Sequence, residues 1–444
     1  MKEKPIFKLL VSMSIPVVLS MLIQSLYNIV DSIWVTKLST EALTAVSLAF
    51  PLQNAIMAVG VGIGVGIGSI ISMNLGSKNH LVANKAASTG VALVMIHCLV
   101  FVVFGIFFTK PFLKMFTNDP YILNSACEYT YIVLCLSFGN LIQMGYEKIF
   151  QSVGRMKTTM LLMASGGIIN MILDPILIFG WFNLPALGVK GAAIATVIGQ
   201  IVAMILYLIV YYKQDIGVKL SLQYVKFDKK LIFQIYSIGI PSSLMLAMPS
   251  LLTGLLNSIL TKFGNVYVAV FGLYFKLQTF VNMPSNGVIQ GMRPIISYNY
   301  GAKEYQRVKK TIIYSLMIVF VVMIIGTIGA IFFPKQILTL FDADKELMIS
   351  GITAFRIIGC SFILSTVGIV ASGVFEALAR GKDSLIISLL RQLIIIVPVG
   401  WLLSNYIGVN GIWIAFPVAE FIATVVSIKK LKDFEKMQLK IFCS

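Results

Sequence analysis

Charge is scarce in this chain of 444 residues, where Asp, Glu, Lys and Arg together make up 12%, about half their share in soluble domains. Acid is scarcer still, with 18 Asp and Glu against 35 Lys and Arg. At 58% hydrophobic residues, the apolar surface exceeds what one soluble core can hide, because such cores stop growing at about 250–300 residues. A bilayer supplies the missing apolar solvent. Cysteine is sparse as well: Cys98, Cys127, Cys135, Cys360 and Cys443 show no CxxC or Cys/His spacing, which excludes a disulfide framework and a zinc site. The two histidines, His80 and His97, stand alone, and with no nucleophile–base pair or metal cluster in sight an enzyme is not expected. No Walker A sequence occurs, and the single Gly-Lys pair, Gly381-Lys382, is followed by Asp383. ATP-driven transport by this chain alone is therefore disfavoured.

What is present is a series of long apolar runs. About 20 apolar residues cross a hydrocarbon core, and lipid offers no partner for free backbone groups, so the runs must be helices. They divide into twelve expected spans: 7–35, 42–75, 86–110, 121–147, 157–181, 188–213, 230–261, 266–298, 308–333, 347–376, 384–405 and 409–431. The first begins after Met-Lys-Glu-Lys and runs on to about Trp34. It is too long for a signal-peptide core and lacks a small-residue cleavage site, so it reads as a spanning helix. The net charge of +17 does not imply a nucleic-acid partner, because the basic residues lie between the spans, as membrane anchors do. With both termini cytoplasmic, 24 of them fall inside and seven outside: Lys37, Lys110, Lys114, Lys190, Lys262, Lys335 and Lys345. That bias sets the expected orientation.

The sequence also repeats, with a period of 225 residues. Ser14-Ile15-Pro16 returns as Gly239-Ile240-Pro241, and Phe50-Pro51-Leu52-Gln53 as Phe275-Lys276-Leu277-Gln278. Ser72, Asn74, Gly76 and Lys78 return as Ser297, Asn299, Gly301 and Lys303. Leu113, Phe116 and Asp119 match Leu338, Phe341 and Asp344, while Phe150, Arg155 and Lys157 match Phe375, Arg380 and Lys382. The expected organisation is a first lobe over residues 1–213 with six helices, a cytoplasmic linker over 214–229, and a second lobe over 230–444 with six helices and a short tail. Two six-helix repeats of one orientation are related by an axis along the membrane normal and work by rocking. The series Gly60, Gly62, Gly64, Gly66, Gly68 lies inside a span with no preceding strand, so it reads as close helix packing, not a nucleotide loop. Gly62 and Gly66 recur as Gly287 and Gly291.

Ionisable groups inside a membrane are the informative ones. Gln24, Tyr27, Asn28 and Asp31 are spaced by three and four and form one polar stripe on an apolar helix. Asn170 and Asp174, four apart, share a face of the fifth span just before Pro175. Thr196 lies near the outer start of the sixth, so Asp31, Asn170, Asp174 and Thr196 can meet in the outer half of the first lobe. The structural alternatives are a helix-end carboxylate for Asp31 and a capped turn for Asp174.

Two six-helix halves, Pro16 followed by Asp31, and Asn170-xxx-Asp174-Pro175 together resemble the multidrug and toxic compound extrusion (MATE) family, over nearly the whole chain. The resemblance implies an all-α integral membrane protein of twelve transmembrane helices in two homologous six-helix bundles. It also implies export of organic cations (dyes, quaternary amines, fluoroquinolone-like drugs) in exchange for H⁺ or Na⁺. The pattern is similar to the DinF-like branch, whose cation site falls on Asp31, Asn170, Asp174 and Thr196, the ligands of Na⁺ if Na⁺ is the coupling ion. The other main bacterial branch uses carboxylates on the seventh and tenth helices. Here the seventh has none and the tenth only Glu346 and Glu376 at its ends.

No cofactor beyond the coupling ion is expected. Burial penalises the ionised form of a carboxyl group, so a carboxyl at that depth can exchange a proton, and each inward charge gains ~2.3 kcal/mol per 100 mV. Four oxygen-bearing side chains suit Na⁺ while protonation needs one carboxylate, so the ion stays open. Gln24, Tyr27, Asn28, Met163 and Met171 are the expected drug contacts, the methionines because a flexible thioether repacks around varied ligands; Pro16 is the expected conformational residue. In the second half Lys276, Arg391 and Glu420 are the unusual charges. Arg391 and Glu420 can form a structural pair, or else line a cavity for an anionic lipid headgroup, as in the related flippases for lipid-linked cell-envelope precursors. The expected setting is the inner (plasma) membrane, with lipid and small organic cations as partners and the chain acting as a monomer.

Overall fold

The computed structural model describes residues 3–226, 228–341 and 343–443, with side chains as far as residue 436. The first half holds α1 (Ile6–Thr36), α2 (Thr40–Gly76), α3 (His80–Leu113), α4 (Pro120–Cys135), α5 (Phe138–Ser152), α6 (Met156–Phe179) and α7 (Val189–Lys213). The second holds α8 (Lys229–Leu260), α9 (Asn265–Gly301), α10 (Tyr305–Phe332), the short α11 (Pro334–Thr339), α12 (Lys345–Ala377), α13 (Gly381–Leu389), α14 (Ile396–Ile407) and α15 (Asn410–Cys443). Among the described residues eleven helices, counting α13 and α14 as one, are long and apolar enough to cross a membrane. The pair α4 and α5, bent by 43°, makes a twelfth span. On α1 the exposed residues Ile15, Leu19, Leu22, Leu26, Ile29 and Ile33 recur every three or four positions, an apolar face that only an apolar solvent tolerates.

Two expected spans are not continuous α-helices. The span expected over 121–147 breaks at Leu136 and Ser137, where Ser137 and Gly139 supply the Ser/Gly pairing at which helices bend. The span over 384–405 carries a π turn at Leu390–Ile394 between α13 and α14. The compact units are Ile15–Ser243 with Gly301–Lys303, and 3–14 with Leu244–Tyr300 and 304–443. Both α1 and α8 are divided between units, beside Pro16 and Pro241. The segment 214–229 falls in the first unit, tied to α3: Asn84 Oδ1 accepts from Lys219 N at 2.8 Å and Ser88 Oγ from Ser221 N at 3.2 Å.

The repeat is written in hydrogen bonds. Ser72 Oγ donates to Ser152 O at 2.8 Å, and Ser297 Oγ donates to Ala377 O at 2.7 Å. Asn74 caps Ile70 O at 2.9 Å as Asn299 caps Ile295 O at 2.8 Å. Asp119 and Asp344 each accept from backbone N–H groups at the start of the following helix, the usual work of an N-cap. Lys78 and Lys303 both turn left-handed, at φ 59° and 60°. Glycine at close approach serves packing as well: a Cβ on Gly66 would lie 2.4 Å from Ile235 O, and one on its repeat mate Gly291 would lie 2.9 Å from Ser14 N.

One repeat position is mismatched. Gly154 turns at φ 84°, but its counterpart Ala379 adopts φ 59°, where an L-residue pays roughly 1–2 kcal/mol. Ala379→Gly is expected to stabilise the protein by roughly 0.5–1 kcal/mol, net of glycine's greater freedom in the unfolded chain. A higher thermal midpoint of the purified protein would show it; an equal or lower one would mean the turn is unstrained.

Candidate functional site

The site begins with a close helix contact. Gly166 on α6 and Gly199 on α7 face each other so tightly that a Cβ on Gly199 would lie 2.6 Å from Gly166 O. That approach lets Asn170 reach across: its Nδ2 donates to Thr196 Oγ1 on α7 and to Asp174 Oδ1 one turn along α6, both at 3.3 Å. Asp174 is fully buried and Asn170 is 3% exposed.

Beside this cluster lies a cavity of about 620 Å³ within the first unit. Gln24, Tyr27, Asn28 and Asp31 of α1 line it, as do Met163 and Asn170 of α6 and Thr196 of α7, so most of the expected site residues share one wall. Asp174 stands behind Asn170, off the wall. Met171 and Pro16 do not line the cavity; Met171 is turned ~100° from Asn170 by the helix.

Four oxygen atoms here are buried with no hydrogen-bond partner: Asp31 Oδ1, Asn170 Oδ1, Asp174 Oδ2 and Gln200 Oε1. Buried polar atoms are nearly always paired. An orphaned set made only of oxygens is short of positive charge, and a proton or a hard cation taking oxygen ligands answers that shortage. The residue set therefore fits either coupling ion.

Several wall residues escape the α1 and α6 patterns. Gln53 of α2 donates from Nε2 to Tyr129 OH of α4 at 3.0 Å, and Asn54, Asn140, Gln143, Glu147 and Gln200 add further polar groups. Asn140, Gln143, Glu147 and Gln151 are spaced three, four and four along α5, the same signal that marks the stripe on α1. At the ends of α1 and α6, Trp34 meets Phe179 and Trp181 edge-on at 5.9 and 6.0 Å, with Lys37 Nζ 4.3 Å over its ring, the aromatic and basic pairing of membrane interfaces.

The second unit treats its charges differently. Arg391, in the π turn, donates from Nε to Glu420 Oε2 at 2.8 Å and from Nη2 to Oε1 at 2.9 Å, a two-pronged pair. Arg293 pairs with Glu376, and Lys276 Nζ lies 5.7 Å from the Phe341 ring centre. No carboxylate stands at the repeat position of Asp31, which is the fully buried Leu256.

The MatE family model matches residues 16–176 and again residues 241–402, opening each time on a proline, and the second match is one residue longer. Multidrug export protein MepA of Staphylococcus haemolyticus is 26% identical over 431 residues, covering 96% of this chain and 93% of that protein. MepA of Staphylococcus aureus (strain MSSA476) is 27% identical over 450 residues, 96% and 94% of the two. Among solved structures, a multidrug resistance MATE family transporter of the MOP superfamily in an outward-facing conformation superposes with TM-score 0.91 at 26% identity, over 98% of this chain and 97% of that one. A MOP superfamily transporter from Pyrococcus furiosus, described for the reversed polarity of its binding pocket, gives TM-score 0.91 at 25% identity over the same shares.

Proposed function

The chain belongs to the MatE family, a family of membrane transporters and not of enzymes, and from that premise we propose that it exports organic cations by alternating access, in antiport with H⁺ or Na⁺. The likeness to MepA, a multidrug export protein along nearly its whole length, supports a broad range of drugs over a single substrate. It works as a monomer in the inner (plasma) membrane with both termini cytoplasmic, the orientation that the basic loops favour.

The observation that carries this reading is the unpartnered Asp31 Oδ1 on the wall of a drug-sized cavity, beside three more orphaned oxygens. A cationic drug and the coupling ion answer the same shortage of positive charge, so they compete. Arrival of H⁺ or Na⁺ from outside at Asp31, Asn170, Asp174 and Thr196 weakens the hold on the drug and releases it outward. Return to the inward-open state delivers the ion to the cytoplasm. Gln24, Tyr27, Asn28 and Met163 contribute the drug's polar and apolar contacts.

The flippase alternative needs free positive charge for an anionic headgroup. Arg391 is matched by Glu420 and Arg293 by Glu376, which weighs against it, and leaves Lys276, beside the Phe341 ring, as the cation that would have to carry the headgroup. Dye efflux from cells expressing the chain, with the Na⁺ and the H⁺ gradient collapsed in turn, tests the proposal. Efflux should stop when one of the two is removed, which names the ion. Efflux that survives loss of both gradients would overturn ion-coupled export.

A further inference from the structure

We propose that Glu147 is a second cation-binding carboxylate of the same cavity, so that the guests held best are elongated dications whose two charges reach Asp31 and Glu147 together. The biology rests on the export reading above; the recognition rests on geometry.

Glu147 lies near the end of α5, 8% exposed, with its side chain on the cavity wall. Its two hydrogen bonds both fall on one oxygen: Lys148 Nζ donates to Oε1 at 3.0 Å and Gln151 Nε2 to the same atom at 2.6 Å. Oε2 is left for a guest. Lys148 itself does not line the cavity. Its stem packs on α2, where a Cβ on Gly64 would lie 2.4 Å from Lys148 Cγ. Lys148 also bonds Gln151 Oε1 at 3.0 Å, so the ammonium is fixed from behind and acts as a positioning residue for the carboxylate.

The two carboxylates sit at opposite ends. Met144 and Lys148 of α5 face Gly60 and Gly64 of α2, which sets Glu147 about level with residue 63 of α2. Asp31 lies five residues before the end of α1, beside the short turn that leads back into α2 at Thr40, so it is level with about residue 45 of α2. At ~1.5 Å per residue the carboxyl groups are roughly 20 Å apart along the helices once their side chains lean inward. Between them the wall offers Gln24, Asn28, Gln53, Asn54, Asn140 and Gln143, which donate and accept hydrogen bonds but carry no charge. Among the described residues no Lys or Arg lines the cavity. A small monocation can satisfy one end only. A guest with two linked charges satisfies both, and the second contact forms at the high effective concentration that linkage provides.

The test uses the purified full-length protein in lipid nanodiscs. Affinities are measured for a series of bis(trimethylammonium) alkanes with four to sixteen methylenes, and for ω-hydroxyalkyl trimethylammonium ions of equal length. Wild type should show a length optimum among the dications at which they bind at least about tenfold tighter than the matched monocation. In Glu147→Gln the ratio of the two affinities should fall to about one. That variant strands the buried charge of Lys148, so the double variant Glu147→Gln with Lys148→Met, which removes both charges, is measured beside it. It should show the same collapsed ratio at a melting temperature close to wild type. The proposal is overturned if wild type shows no length optimum, or if the optimum persists in the double variant. If wild type binds neither series, the export reading falls and this inference with it.

Discussion

Replacing Asp31 with Asn should abolish export of cationic drugs while leaving the amount of protein in the membrane unchanged. Asn has nearly the same shape, so the packing of α1 is kept. Asp31 is half-buried and its Oδ1 has no internal donor, so the fold loses no hydrogen bond at that atom. What disappears is the only negative charge on α1. A hydrogen bond to a charged group contributes about 1.5–3 kcal/mol, so drug affinity should fall roughly ten- to hundredfold. Coupling should be lost altogether, because an amide cannot exchange a proton or neutralise a cation. Dye efflux read against immunoblotted abundance measures both quantities. A variant with full efflux would show that Asp31 is not the coupling group. Asp174→Asn should be impaired more mildly, since Asp174 stands behind Asn170 and off the cavity wall.

The second large effect is expected in the other half, at Arg391 and Glu420. Both side chains are 11% exposed, and the pair is satisfied in two places. Removing one partner leaves the other charge buried and unmatched, at roughly 3–5 kcal/mol. Arg391→Met and Glu420→Gln should therefore each reduce abundance severely. The double replacement removes both charges and should recover folding and efflux, the non-additivity that a cycle of single and double variants detects. Recovery would mark the pair as structural. A double variant that is stably expressed and binds drug but has lost ion-dependent release would place part of the coupling machinery in the second half.

Much of this was legible in the sequence, for a physical reason: lipid leaves helices as the only open choice for long apolar runs, so hydropathy marks the spans. The spacing of Gln24, Tyr27, Asn28 and Asp31 identified a shared face, and Asn170 with Asp174 another. Spacing says which residues share a face but not how deep each lies behind the next. Hence Asp174 and Met171, expected beside Asn170 and Met163, are off the wall that those two line. The stripe on α5 was legible by the same rule, but a span expected to end at 147 puts Glu147 at a terminus, where a charge is unremarkable. The helix after the break at Leu136 and Ser137 continues to Ser152, so Glu147 lies more than a turn short of its end. The π turn has no simple composition signature in Leu390–Ile394, and neither does the contact it carries, Arg391 against Gly368, where a Cβ would lie 2.6 Å from Arg391 Cδ.

That π turn bears on how the two halves diverged. A π turn closes its hydrogen bonds one residue further along than an α turn, so it takes up one extra residue while the helix beyond it is hardly rotated. Past the turn the register between the copies is one residue longer, in keeping with the longer second match, and Asp174 corresponds to Gly400. The two copies can thus differ in length by one residue here and still turn the same face of this helix toward their own bundle.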